Sequence, residues 1–298
     1  MDMKSNERFP LTPKNGGVAY VAMIVLYLFI TFIGQTVAAA TFGNDSVVYI
    51  AVCSTFSLIA MFAVIMVKLF TAKDKSITKS IYLTTFNWKF LIFALILSIG
   101  MFLGLGFVND AFVNVLRRVG VYVPSTYIPL NNGMQLFGFS VLLALFPAVV
   151  EEIFFRGILL DCLKGVKPVY AVFSVAVCFA FYHCSAAQFI YQLVYGVALT
   201  MLAMTAKSII PCIVAHFANN FAVILFEYFG VNVNLYSPWL IVLGIILLAG
   251  FFAFMVLTLK KNNKNVKTES VKDFWLPYGT LGALVCAVLI VSSLFVGA

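Results

Sequence analysis

The chain has 298 residues, 63% of them hydrophobic and only 10% charged. So few charges cannot cover a soluble domain, and a mean hydropathy of +1.06 makes a lipid bilayer the expected solvent. The formal net charge of +8 is not the footprint of a nucleic-acid binder, because the basic residues gather at the ends of apolar runs instead of forming a patch interleaved with aromatics.

The first 16 residues, MDMKSNERFPLTPKNG, are polar and lack the charge, short apolar core and cleavage site of a signal peptide. The run that starts at Val18 therefore reads as an uncleaved spanning helix. Runs of about 20 apolar residues, long enough to cross the hydrocarbon core as a helix, then recur. The expected spans are 18–40, 47–70, 90–108, 134–157, 168–184, 186–206, 208–227, 238–259 and 276–296. The fifth is short. Segment 109–133 carries DAFVNVLRRVG and a Pro/Asn-rich stretch, and reads as an interfacial turn and loop. The runs do not alternate with period two, so a transmembrane barrel is excluded. The fold class is all-α: a polytopic helical membrane protein of about eight to nine transmembrane helices. Residues 1–133 hold the first three spans and the interfacial segment, 134–227 hold spans four to seven, and 228–298 hold the last two with a basic loop, KKNNKNVKTESVK. The six cysteines are scattered without a CxxC and read as small buried hydrophobes rather than a disulfide framework.

The basic residues orient the spans. With the N terminus in the cytoplasm, 17 of the 19 Lys and Arg residues fall on the inner side, and only Arg117 and Arg118 fall outside. The positive-inside rule accounts for such a division. The chain is expected in the cell membrane, with lipid around it and no nucleic-acid partner.

Against this apolar background, FPAVVEEIFFRGILL is anomalous. A charged side chain in a bilayer costs about 2.5–3.5 kcal/mol on insertion scales, and those that persist face an interior or a cavity. Glu152 and Arg156 stand at i, i+4 and can pair on one helix face. Glu151 is rotated from Glu152 by about 100° and has no partner within this segment. The chain contains only two histidines. His183 ends VCFAFYH in the fifth span, and His216 lies in PCIVAHFANNFAV with Asn220 one turn on. Pro147, one turn before Glu151, would loosen the backbone there and open space for water. A carboxylate and a histidine can hold and deprotonate a water, and a second histidine with an amide can donate to an oxyanion. That describes a hydrolase of a carbonyl compound, most simply a peptide bond. The same atoms could hold a divalent metal such as Zn²⁺, and the residue types leave both possibilities open.

The spacing of these residues resembles the CPBP family of intramembrane proteases, which includes the CAAX-processing endopeptidase and the bacterial Abi self-immunity proteins. The EExxxR motif matches Glu151 to Arg156, FxxxH matches Phe179 to His183, and HxxxN matches His216 to Asn220, in the family order and without departure. The resemblance covers about residues 134–227. It implies an intramembrane endopeptidase acting on membrane-associated protein or peptide substrates. Glu151 would be the water-activating base assisted by His183, His216 and Asn220 the oxyanion pair, and Glu152 and Arg156 the residues that orient them, with a metal either required or not. The alternative within the family is a catalytically idle scaffold or bacteriocin-immunity protein. Other classes fit less well: the chain has no HExxH, no GxSG, and GLGF at 104–107 is not GxGD. A proton relay or transporter would show broken helices or repeated halves, and neither is read here.

Reporter fusions at residues 265 and 298 should report opposite sides of the membrane. The same side for both would show that 276–296 does not cross.

Overall fold

The computed structural model describes residues 12–43, 46–71, 83, 86–121, 128, 130–230, 237–262 and 269–294. The N-terminal polar segment 1–11, most of the second inner loop, most of the Pro/Asn-rich stretch after Gly120 and most of the lysine-rich loop lie outside them. The protein is an all-helical, multi-pass membrane protein. Among the described residues, eight helices are long and apolar enough to cross a bilayer: α1 (Pro13–Phe42), α2 (Val47–Lys68, with a break at Ser54-Thr55), α3 (Lys89–Arg118), α4 (Gly133–Cys162), α6 (Ala186–Ala206), α7 (Ile210–Tyr228), α8 (Pro238–Lys261) and α9 (Lys272–Ser292). Between α4 and α6 lies the shorter α5 (Pro168–Tyr182). At 1.5 Å per residue its 15 residues reach only about 22 Å, less than the hydrocarbon thickness.

The helices begin where local chemistry says they should. Thr12 caps α1 by accepting from Asn15 N at 3.3 Å, ahead of Pro13 in the first turn. Asn132 caps α4 by accepting from Gln135 N at 2.9 Å, while Gln135 Oε1 reaches back to accept from Asn131 N at 2.7 Å. Several expected boundaries move by a few residues, and two of these shifts bear on the site. Segment 109–118, expected as an interfacial turn, continues α3 as an amphipathic helix that stops only before Gly120, whose φ of +85° ends it. Nothing in GFVNDAFVNVLRR breaks a helix, and its polar residues recur at helical spacing. Helix α4, expected to end near 157, runs to Cys162.

Small residues set the closest helix contacts, as they do where lipid supplies no hydrophobic drive between helices. A Cβ added to Gly196 of α6 would lie 3.0 Å from the Ala176 Cα of α5. A Cβ on Gly244 of α8 would lie 2.3 Å from the Gly104 backbone nitrogen of α3. Buried hydrogen bonds add further ties. Tyr20 on α1 donates to Cys178 O on α5 at 3.1 Å, Ser98 on α3 to Ala215 O on α7 at 3.0 Å, and Trp275 Nε1 on α9 to Ser174 Oγ on α5 at 2.9 Å. All six cysteines are free thiols, four buried and two half-buried.

Gly244→Ala should destabilise the bundle by about 1–3 kcal/mol through overpacking, read as a lower unfolding midpoint in detergent. An unchanged midpoint would mean that α3 and α8 are not in backbone contact.

Candidate active site

Helix α4 carries two wide π-helical turns, Ser140–Leu145 and Ile153–Leu159, on either side of the paired glutamates. Such turns interrupt the regular ladder and are frequent at functional sites. Within the second, Arg156 is fully buried and donates through Nη1 to Glu152 Oε1 at 2.8 Å. Its Nη2 donates to Gly196 O on α6 at 3.3 Å. The guanidinium carbon lies 4.3 Å from the centroid of the Phe179 ring on α5, a cation–π contact. The phenylalanine of the second motif is thus the platform for the arginine of the first.

Glu152 Oε1 has another partner. His216 Nδ1 on α7 lies 2.8 Å from it, so the imidazole donates there and directs Nε2 the other way. Nε2 faces Glu151 Oε2 at 3.9 Å. That separation is too long for a hydrogen bond, and Glu151 Oε2, itself buried, has no hydrogen-bond partner in the protein. The two acids therefore differ. Glu152 is held through Oε1 by a cation and an imidazole, its own Oε2 buried without a partner away from the cavity lining, whereas Glu151 lines a cavity of about 670 Å³ and has no such hold.

His183 follows the last residue of α5. Its Nδ1 lies 2.8 Å from Phe179 O, a carbonyl left over at the helix end, and must donate to it. The neutral ring then presents an unprotonated Nε2. The ring sits edge-on to Phe179 and Tyr182, with centroids 4.8 and 5.2 Å away, and lines the same cavity. Asn220, also on its wall, donates through Nδ2 to Leu143 O at 3.3 Å. The reason is four residues further along α4. Pro147 has no N–H to give to Leu143 O, so that carbonyl is orphaned inside a membrane, and Asn220 satisfies it.

The structure brings all six expected residues together, four of them as lining of the cavity and Glu152 with Arg156 behind it. It also adds polar residues that the motifs do not contain. Asn219 is buried and accepts from Tyr191 OH, and Gln188, Gln192, Asn109 and Asp110 line the cavity. A signal for some of these was present: Gln188, Tyr191 and Gln192 stand at i, i+3, i+4, a polar stripe at the head of an apolar helix. Asn109 and Asp110 fell in the stretch expected to lie at the interface.

Among the described residues no three His, Cys, Asp or Glu side chains are grouped to hold an ion. Glu152 Oε1 is shared by Arg156 and His216, and the guanidinium would oppose a second cation there.

Residues 133–222 match the family model of the type II CAAX prenyl endopeptidases, Rce1-like. The match covers the middle of the chain, less than half of it, and contains all three motifs, so the resemblance to the CPBP/CAAX protease family holds over the segment that carries them. At family level this supports an intramembrane protease of CAAX type acting on peptide or protein substrates. No curated protein and no solved structure matches the chain.

Asn220→Ala should destabilise the protein by about 1–3 kcal/mol, the cost of leaving a buried carbonyl unpaired. In a Pro147→Ala background the restored N–H can serve Leu143 O, so the same substitution should cost much less. Equal costs in the two backgrounds, from unfolding in detergent, would break the link between Asn220 and Pro147.

Proposed function

We propose, from the family matched by residues 133–222, that this chain is an intramembrane endopeptidase in which Glu151 activates water against the peptide bonds of membrane-associated proteins or peptides. One observation carries the reading: the buried, uncommitted Oε2 of Glu151 faces His216 Nε2 at 3.9 Å on the cavity wall. That gap suits a water donating one hydrogen to the carboxylate and the other to an imidazole.

The residues then take the following parts. Glu151 removes a proton from the water, with the unprotonated Nε2 of His183 as a second acceptor on the same wall. The oxygen adds to the scissile carbonyl. The charge that develops on the carbonyl oxygen is met by the amide hydrogen that Asn220 does not spend on Leu143 O, and by His216, which picks up the second proton and becomes a cation backed by Glu152 at 2.8 Å. Glu151 returns its proton to the leaving amine, the peptide bond breaks, and the His216 cation passes the second proton to the departing amine, leaving a carboxylate, an ammonium product and the neutral imidazole restored. Glu152 and Arg156 do not touch the substrate in this scheme. They hold His216 in one tautomer, the role a carboxylate plays behind any catalytic imidazole. With the donor set described above, no step passes through a metal.

Glu151→Gln should lower kcat about 10²–10⁴-fold, the usual worth of a general base, with little loss of stability, since the amide can occupy the same wall. Glu152→Gln should instead destabilise the fold by about 3–5 kcal/mol, because it leaves Arg156 as an uncompensated buried cation. Cleavage of a reporter peptide by the purified wild type should survive exhaustive chelation. Full activity in Glu151→Gln, or loss on chelation with recovery on Zn²⁺, would sink this mechanism, and no cleavage at all by the wild type would leave the idle scaffold of the same family.

A further inference from the structure

Asn220 can stabilise an oxyanion only if its amide is turned the right way. Its Nδ2 carries two hydrogens and its Oδ1 carries none, so what faces the cavity depends on what holds the group. Three side-chain contacts on the cavity wall do so. Asn220 Nδ2 donates to Leu143 O on α4 at 3.3 Å. Asn219 Nδ2, from the preceding residue of α7, donates to Asn220 Oδ1 at 3.5 Å. Tyr191 OH on α6 donates to Asn219 Oδ1. All three side chains line the cavity, and Asn219 is buried.

The chain of contacts runs in one direction because one of its ends cannot reverse. Leu143 O is a carbonyl and only accepts, and Pro147 has no N–H to give it. Asn220 must therefore turn its nitrogen toward Leu143, which sends Oδ1 the other way. That oxygen needs a donor, so Asn219 presents Nδ2 and is left with its own Oδ1 facing α6. Tyr191 satisfies this last acceptor. Without the hydroxyl, Asn219 Oδ1 would be buried and unpaired, and nothing on α6 would oppose a turn of the Asn219 amide. Once turned, it sets oxygen against Asn220 Oδ1, an unfavourable contact in a space of low dielectric. We propose that Tyr191 and Asn219 are positioning residues, which act through Asn220 by holding its amide with the second N–H free for the oxyanion. What the amide is held toward rests on the peptidase reading, whereas the chain itself rests on the three contacts.

Tyr191→Phe keeps the ring and removes only the hydroxyl, and Asn219→Leu keeps the size and removes both links. Each is made in the full-length protein, alone and combined with Asn220→Ala, and purified in detergent. Tyr191→Phe should lower kcat for a reporter peptide about 3–10-fold, the usual worth of one hydrogen bond, with KM within about twofold of the wild type. In the Asn220→Ala background the same substitution should change kcat by less than about twofold, because the residue it acts through is gone. An equal loss in both backgrounds, or a raised KM with kcat unchanged, would overturn the positioning role. Unfolding midpoints run the same cycle without catalysis: Tyr191→Phe should lower the midpoint of the wild type and shift that of Asn220→Ala much less. Equal shifts would overturn the chain of contacts. If Asn219→Leu does not accumulate, Tyr191→Phe alone decides both cycles. If the wild type cleaves nothing, the peptidase reading falls, and the midpoints still show whether Tyr191 and Asn220 are coupled.

Discussion

Arg156 is the residue around which the middle of this bundle is organised. It is fully buried in a chain whose surroundings are hydrocarbon, where an unpaired charge is among the most costly things a helix can carry. It is tolerated because both terminal nitrogens and one face of its guanidinium have counterparts: the Glu152 carboxylate at 2.8 Å, the Gly196 carbonyl at 3.3 Å and the face of Phe179 at 4.3 Å. These come from α4, α6 and α5. Since Glu152 also receives His216, α7 is tied to the same point. Four helices are fixed to one another by a charge that none of them could bury alone.

That network separates the functions of two adjacent carboxylates. Residues next to each other on a helix point about 100° apart, so only one of them can face Arg156. Glu152 does. Glu151 is turned toward the cavity with a buried oxygen that nothing in the protein satisfies. A buried acceptor in this condition is costly, and native proteins keep such groups where chemistry needs them. A similar economy operates at Pro147. The proline removes one hydrogen bond from α4, the freed carbonyl of Leu143 takes Asn220, and a helix defect becomes the anchor for a side chain on α7.

Much of this was readable from residues in order along the chain. Apolar runs of spanning length determine an all-helical membrane protein because only helices and closed barrels satisfy the backbone in lipid, and these runs do not alternate. The i, i+4 spacing of Glu152 with Arg156, and of Phe179 with His183, announces contacts that the structure contains, since residues one turn apart are neighbours whatever the rest of the fold does. The end of α3 was less legible: an amphipathic stretch rich in Asn and Arg looks the same whether it lies along an interface or continues a span.

Residue order alone dictates the solvent, the helices and the residues too polar to be there by chance. Tertiary structure alone decided how those residues are shared out. His216 reaches Glu152 across 64 positions of sequence, and Asn220 reaches Leu143 across 77. Which nitrogen of His216 meets which glutamate depends on the rotation of α7 about its axis, and that is set by small-residue contacts and buried hydrogen bonds spread over the whole bundle, not by any spacing within α7. The same holds for Asn219 and Tyr191, each unremarkable on its own helix.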